Sequence, residues 1–277
     1  MAARPSRRAL PGGGPSASRR CFLTWYLQLR FEGSYRPPAC SGFSCGFVLF
    51  LAQYVNSFFI LECEIYIRMA QQGRRRSVSK ASETIVAAAH EAIQDESKIE
   101  KLFENLEGSS RRMRQMSASV IAVISREKPE LLEGHIGALV DALNRPEAQT
   151  RWECLDALTE LISLDSRACD KALAGAETAL FDEESGPARL AAMRFLCRLG
   201  ATTENRSEKV WPLVDEAIQC YHGDLEFQDM LIAVTWFSEG KLAPAVKEAL
   251  AERMSFDATS GKGVLKKRAA LIVENLK

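Results

Sequence analysis

The chain has 277 residues, 47% of them hydrophobic and 26% charged, which suits one or two ordinary domains or one modest repeat array. A formal net charge of +0 excludes any global pull toward nucleic acid or an anionic membrane. The average hides a division: residues 1–68 hold eight Arg against three Glu, a net of +5, and the remainder holds 28 basic against 33 acidic groups, a net of −5.

Residues 1–68 form a low-complexity and apolar extension with no Lys, Asp or His, yet with four of the eight Cys: Cys21, Cys40, Cys45 and Cys63. The stretch from Arg4 to Arg20 is rich in Pro, Gly, Ser and Arg and cannot bury enough apolar surface to offset its ordering entropy, so disorder is expected there. An apolar block from Gly46 to Leu61 contains Gln53 and Asn56 and is sixteen residues long, whereas a membrane span needs ~20. Arg36 and Arg68 flank it on both sides and give no orientation, and no small-residue cleavage site follows it. Met69 opens Met-Ala-Gln-Gln-Gly-Arg-Arg-Arg-Ser-Val-Ser-Lys, which resembles a natural start with a short basic arm. One expectation is then that the first 68 residues are upstream sequence outside the native protein, with a membrane anchor at 46–61 and a small ordered extension as rival readings. Residues 69–96 are a basic arm and lead-in helix. Within them Arg74-Arg75-Arg76-Ser77 fits a basophilic kinase consensus or a nucleic-acid or membrane contact, with a solvated tail preferred.

From Ser82 onward apolar residues recur at spacings of three and four, with no alternating β-branched run, which predicts an all-α fold. One stripe is Ile99, Leu102, Phe103 and Leu106; the next is Met113, Met116, Val120, Ile121 and Ile124. Turn and cap signals separate such stripes at Gly108-Ser109-Ser110, Asn144-Arg145-Pro146, Gly186-Pro187, Gly223-Asp224 and Ser260-Gly261-Lys262-Gly263.

The segments Arg114–Ile124, Arg151–Leu161 and Arg189–Leu199 align without a gap at steps of 37 and 38 residues, and a further step reaches Phe227–Phe237. A looser fifth copy starts at Leu265. One more amphipathic helix lies between successive copies, so the unit is a helical hairpin that must stack on its neighbours to bury its apolar face.

Pro187-Ala188-Arg189-Leu190-Ala191-Ala192, continuing to Leu196 and Gly200, resembles the second helix of HEAT repeats, and Thr150-Arg151-Trp152 to Leu158 resembles it next best. Phe227 departs from it, because the expected Arg is absent. The resemblance covers roughly residues 97–277 and implies a right-handed α-solenoid of about five hairpins. First helices (A) are expected near 98–107, 130–144, 167–182, 207–222 and 242–256, and second helices (B) near 110–126, 147–164, 186–200, 224–239 and 262–277. It also implies that B helices line the concave face and that Arg114, Arg151 and Arg189 each pair with a nearby acid and stitch repeats together.

Summed by B helix, the charge alternates: +4, −3, +3, −4 and +4. Adjacent B helices lie ~10 Å apart, within a screening length, so opposite charges there should satisfy one another. A solenoid tracking a nucleic-acid backbone should instead show one continuous positive stripe.

The favoured reading is therefore a non-enzymatic, cytoplasmic scaffold or adaptor binding a protein or peptide partner, with no cofactor, metal or catalytic residue assigned. Its candidate interaction surface is Arg112, Arg194, Arg198, Trp211, Lys266 and Lys267. Trp211, before Pro212, is expected to open an A helix. The alternative is a HEAT-like DNA-binding protein or alkylbase DNA glycosylase, using Arg111, Arg112, Arg114, Arg189, Arg194, Arg198, Lys266, Lys267 and Arg268. Excision would further need Trp152, Trp236 and Asp156 or Asp229 around a basic groove, though both Trp suit core packing better. His90, His135 and His222 are spread too widely for a metal site. Cys154, Cys169, Cys197 and Cys220 have no Cys-x-x-Cys spacing and are expected to be core residues in a reducing compartment.

Overall fold

In the computed structural model of the chain, the structure describes residues 82–277. The extension 1–68, its apolar block 46–61, the start at Met69 and the Arg74–Ser77 arm lie outside the described residues.

The described residues are helical, without a strand. Helix α1 spans 82–93, α2 Glu96–Glu107 and α3 Arg111–Glu127. A 3-10 run, Pro129–His135, leads into α4, Ile136–Ala142, and α5 spans Ala148–Cys169. Another 3-10 turn, Asp170–Ala172, leads into α6, Leu173–Leu180. Then come α7 Gly186–Gly200, α8 Glu204–Cys220, α9 Phe227–Ser238, α10 Pro244–Ser260 and α11 Gly263–Asn275. Five A/B pairs result, with α3, α5, α7, α9 and α11 as the B helices.

Local chemistry sets these boundaries. The Asp95, Ser185 and Thr203 side chains accept from the backbone N–H of Ser97, Ala188 and Arg206, each satisfying a donor that the first helical turn leaves free. Pro187 and Pro244 occupy first turns, where a missing N–H costs nothing. Within α5, Asp165 leaves helical geometry at φ −138°, ψ 82°, and its carboxylate accepts from Ala168 N at 2.9 Å. The second B helix and the third A helix thus meet at a capped kink rather than across a loop.

Two expectations need correction. Helix α8 starts at Glu204 because Thr203 caps it, so Trp211-Pro212 sits mid-helix and Trp211 is half-buried against the core. Cys220 is exposed at the end of α8, where the chain turns away toward Gly223 at φ +97°. The other three described cysteines are buried as expected; burial pushes the Cys169 thiol up to about 12 and raises those of Cys154 and Cys197 as well.

The repeat register recurs in the core. Ile121, Leu158, Leu196 and Val234 hold one aligned position on four B helices and are all fully buried, each contributing ~1.5–3 kcal/mol against exposure. Ile272, at the same position of the looser fifth copy, is fully buried as well. His90 on the lead-in helix α1 meets Glu127 on α3 at 3.2 Å. Successive B helices pack on one another more extensively than successive A helices do, as the inner layer of a curved stack must.

Candidate functional site: the B-helix face

The recurring arginines point between repeats. Arg114 pairs with Glu147 and donates to the Gly108 carbonyl at 2.8 Å. Arg151 pairs with Asp182. Arg189 pairs with Glu226, donates to the Asp182 carbonyl at 2.9 Å, and lies 5.0 Å from the centroid of the Tyr221 ring. Each cation on one B helix thus reaches an acid at, or just before, the start of the next. On the last B helix, Arg268 donates back to the carbonyl and side-chain amide oxygens of Gln228 on α9.

A second set of polar contacts crosses the B layer. Asp156 on α5 takes Arg126 from α3 at 3.2 Å and Arg194 from α7 at 3.8 Å, so one carboxylate links three consecutive repeats. Burial still outweighs both cations and holds the Asp156 carboxyl above its ordinary range. Burial also raises Glu153, which accepts from Ser119 at 2.9 Å. By contrast, the Arg114 guanidinium hydrogen-bonded to Glu147 lowers that carboxyl despite burial.

Charge alternation therefore does bind repeats one to four together, and it fails between α9 and α11. Asp229 on α9 and Glu239, just after it, form no ion pair among the described residues. Lys266 donates to the Thr259 carbonyl at 2.8 Å, while Arg112 and Lys267 are exposed without a partner. The sequence-predicted surface is thereby dispersed: Arg112 lies at one end of the array, Lys266 and Lys267 at the other, and Trp211 in the A layer. Arg194 and Arg198 lie one turn apart on α7, with Arg194 taken up by Asp156.

The structure adds what the prediction lacked. Arg198 lines a cleft of about 370 Å³ with Ser163, Thr202, Trp236, Glu239 and Gly240, at the C-terminal ends of α5, α7 and α9. Trp236 is 42% exposed, which corrects the expectation that it packs in the core; Trp152, by contrast, is half-buried against the core. Gly240 closes one wall: a Cβ there would stand 2.5 Å from the Ala201 Cβ, and Lys241 N donates to the Ala201 carbonyl at 2.8 Å. Glu160, Arg198 and Trp236 occupy the tenth column of the gapless repeat alignment on α5, α7 and α9. All three are exposed, and none makes a side-chain hydrogen bond or ion pair among the described residues. That column was the available signal for Trp236.

The described residues contain no cluster of three or more His, Cys, Asp or Glu able to hold a metal ion, and no helix long and apolar enough to cross a membrane. Each described histidine faces an acid instead: His90 Glu127, His135 Glu100 and His222 Asp257.

No family model and no curated protein matches the chain. Its fold is similar to that of a designed armadillo repeat protein solved in complex with the peptide (KR)4, with a TM-score of 0.57 at 15% identity, covering 71% of this chain and 92% of that one. The chain carries an armadillo/HEAT-like helical-repeat solenoid. Other similar solenoids include a computationally designed armadillo repeat protein for modular peptide recognition, with a TM-score of 0.54 at 15% identity, covering 71% of this chain and 93% of that one. An engineered protein from a structural genomics consortium matches with a TM-score of 0.57 at 17% identity, covering 71% of this chain and 88% of that one.

Proposed function

We propose that this solenoid is a non-enzymatic scaffold or adaptor of the cytoplasm, which holds a protein or peptide segment against its B-helix face. One observation carries the reading. Arg114, Arg126, Arg189 and Arg194 are consumed in joining repeats, whereas Glu160, Arg198 and Trp236 share one column, Arg198 and Trp236 line one cleft, and none of the three has a partner among the described residues. Unpaired Arg and exposed Trp are the side chains that most often anchor protein interfaces. The peptide bound by one of the structurally similar designed proteins agrees with this use of the fold. Free cysteines, three of them buried, suit a reducing compartment.

Selection of a displayed random peptide library on the full chain tests the proposal. Peptides should enrich on the parent protein and lose enrichment on an Arg198→Glu/Trp236→Ala variant. Equal enrichment on both would place the interface elsewhere. Micromolar binding of duplex DNA that falls steeply with salt would favour a nucleic-acid partner instead.

A further inference from the structure

Going beyond that reading, we infer that the A-to-B turns of the last two repeats dock the solenoid on an anionic lipid surface. Leu225, Phe256 and Val264 enter the headgroup layer, and Lys262, Lys266 and Lys267 meet its charge. The cleft at Trp236 takes no part in this contact.

Among the described residues, Leu225, Phe256 and Val264 are the most exposed large apolar side chains, at 99%, 72% and 55%. Folding brings their turns together. Leu225 sits in the turn between α8 and α9, whose His222 meets Asp257 at 3.2 Å. Phe256 directly precedes Asp257 on α10. Val264 is in the first turn of α11, one turn before Arg268, which donates to Gln228 at the start of α9. Each apolar residue thus lies within four positions of a contact that joins repeat four to repeat five.

The charge beside them is basic. Between Asp257 and Glu274 the chain has Lys262, Lys266, Lys267 and Arg268 and no acid. Lys262 and Lys267 are exposed and form no ion pair or side-chain hydrogen bond among the described residues, while Lys266 donates to the Thr259 carbonyl at 2.8 Å. These cations crowd the start of α11, where the helix dipole disfavours positive charge, so they do not serve the helix. In the turn 221–226 the acids are Asp224, which is exposed, and Glu226, which Arg189 takes up. The chain's net charge is zero, so the pull on an anionic surface is local.

A bilayer fits this chemistry better than a protein or a nucleic acid. At these exposures the three side chains protrude instead of lining a groove. A protein partner would have to supply well-packed pockets shaped around each of them. The headgroup boundary of a bilayer takes up apolar side chains without such shape matching, and nearby lysines add attraction to anionic lipid that salt weakens. Nucleic-acid bases stack on aromatic rings, which Leu225 and Val264 lack.

Flotation of the full chain with phosphatidylcholine vesicles, with and without phosphatidylserine, tests the inference. The parent should float with the phosphatidylserine vesicles and stay behind with phosphatidylcholine alone. Leu225→Ser/Phe256→Ser and Lys262→Glu/Lys267→Glu should each weaken binding about tenfold. All four sites are exposed, so both double variants should keep the parent's thermal melt. Phe256→Trp should bind as the parent does, with added indole fluorescence that brominated acyl chains quench. Binding that both double variants retain overturns the inference and places the membrane contact elsewhere in the chain. So does an indole at 256 that bromine leaves unquenched, equal binding to both vesicle types, or no binding at all. A parent dimer that floats with neither vesicle, and that Leu225→Ser/Phe256→Ser returns to monomer, also overturns it and makes the patch a self-association surface. Peptide selection on Arg198→Glu/Trp236→Ala probes a different surface, so the scaffold reading and this inference stand or fall separately.

Discussion

Arg189 and Glu226 stand 37 residues apart, one repeat, and meet as an ion pair in which only 14% and 15% of the two side chains remain exposed. The pair welds the third B helix to the start of the fourth. Arg189→Met leaves the Glu226 carboxylate and the Asp182 carbonyl without their donor. Breaking such a pair costs about 3 kcal/mol, the lower end of the range for buried pairs, because some exposure remains. Arg253→Met, which removes a more exposed pair with Asp215, should cost less than about 1 kcal/mol. Urea midpoints of the two variants and the parent check the contrast.

Glu147 and Asp156 should give stability profiles of opposite slope with pH. Arg114 lowers the Glu147 carboxyl below its unfolded value, so its contribution is present above about pH 4.5 and lost as pH falls through the folded value. The stability gap between the parent and Glu147→Gln should close on acidification. Burial raises Asp156 above its unfolded value of about 3.9, so ionising it costs folded stability as pH rises past that point. Asp156→Asn should therefore gain on the parent between about pH 4 and pH 7, as measured by urea titrations at each end.

Gly240 touches Ala201 too closely for any side chain: a Cβ would approach the Ala201 Cβ to 2.5 Å and its Cα and carbonyl oxygen to 2.7 Å. Gly240→Ala must separate the two turns at the cleft wall and should destabilise by about 1–3 kcal/mol. Gly137, in α4, has nothing within 4 Å of its Cβ position. Gly137→Ala should stabilise by about 0.5–1 kcal/mol through the helical preference of Ala. Thermal melts of both variants separate overpacking from a general intolerance of glycine replacement.

Thiol labelling should divide the described cysteines. Cys220 is exposed, while burial hides Cys154, Cys169 and Cys197 and raises their thiols. Peptide mapping after brief treatment with a thiol reagent at pH 8 should find Cys220 modified and the other three protected until denaturant is added. Early modification of Cys197 would contradict the packing of α7.

Much of this fold was legible in the sequence because a repeat states its own period. The gapless columns beginning at Arg114, Arg151 and Arg189 located the B helices to within a few residues and announced the inter-repeat pairs. Their acidic partners were less visible, since Glu147, Asp182 and Glu226 lie at different distances along the chain and only folding brings them together. Helix α8 starts earlier than Trp211-Pro212 suggested because the Thr203 side chain caps it, and Pro212 is accommodated inside the helix. Trp236 was hidden for a different reason. An aromatic at helical spacing suggests core, and only its column, shared with the charged Glu160 and Arg198, marks it as surface.

The central claim is that a bound segment lies along α5, α7 and α9 at the Glu160, Arg198 and Trp236 column. Hydrogen exchange of the full chain, with and without a peptide selected by display, measures this directly. Protection should appear around residues 160–163, 198–202 and 236–240, with the A helices α4, α6 and α8 unchanged outside their contacts with that cleft. Protection confined to the A helices, or to the array's last helix α11, would contradict the account.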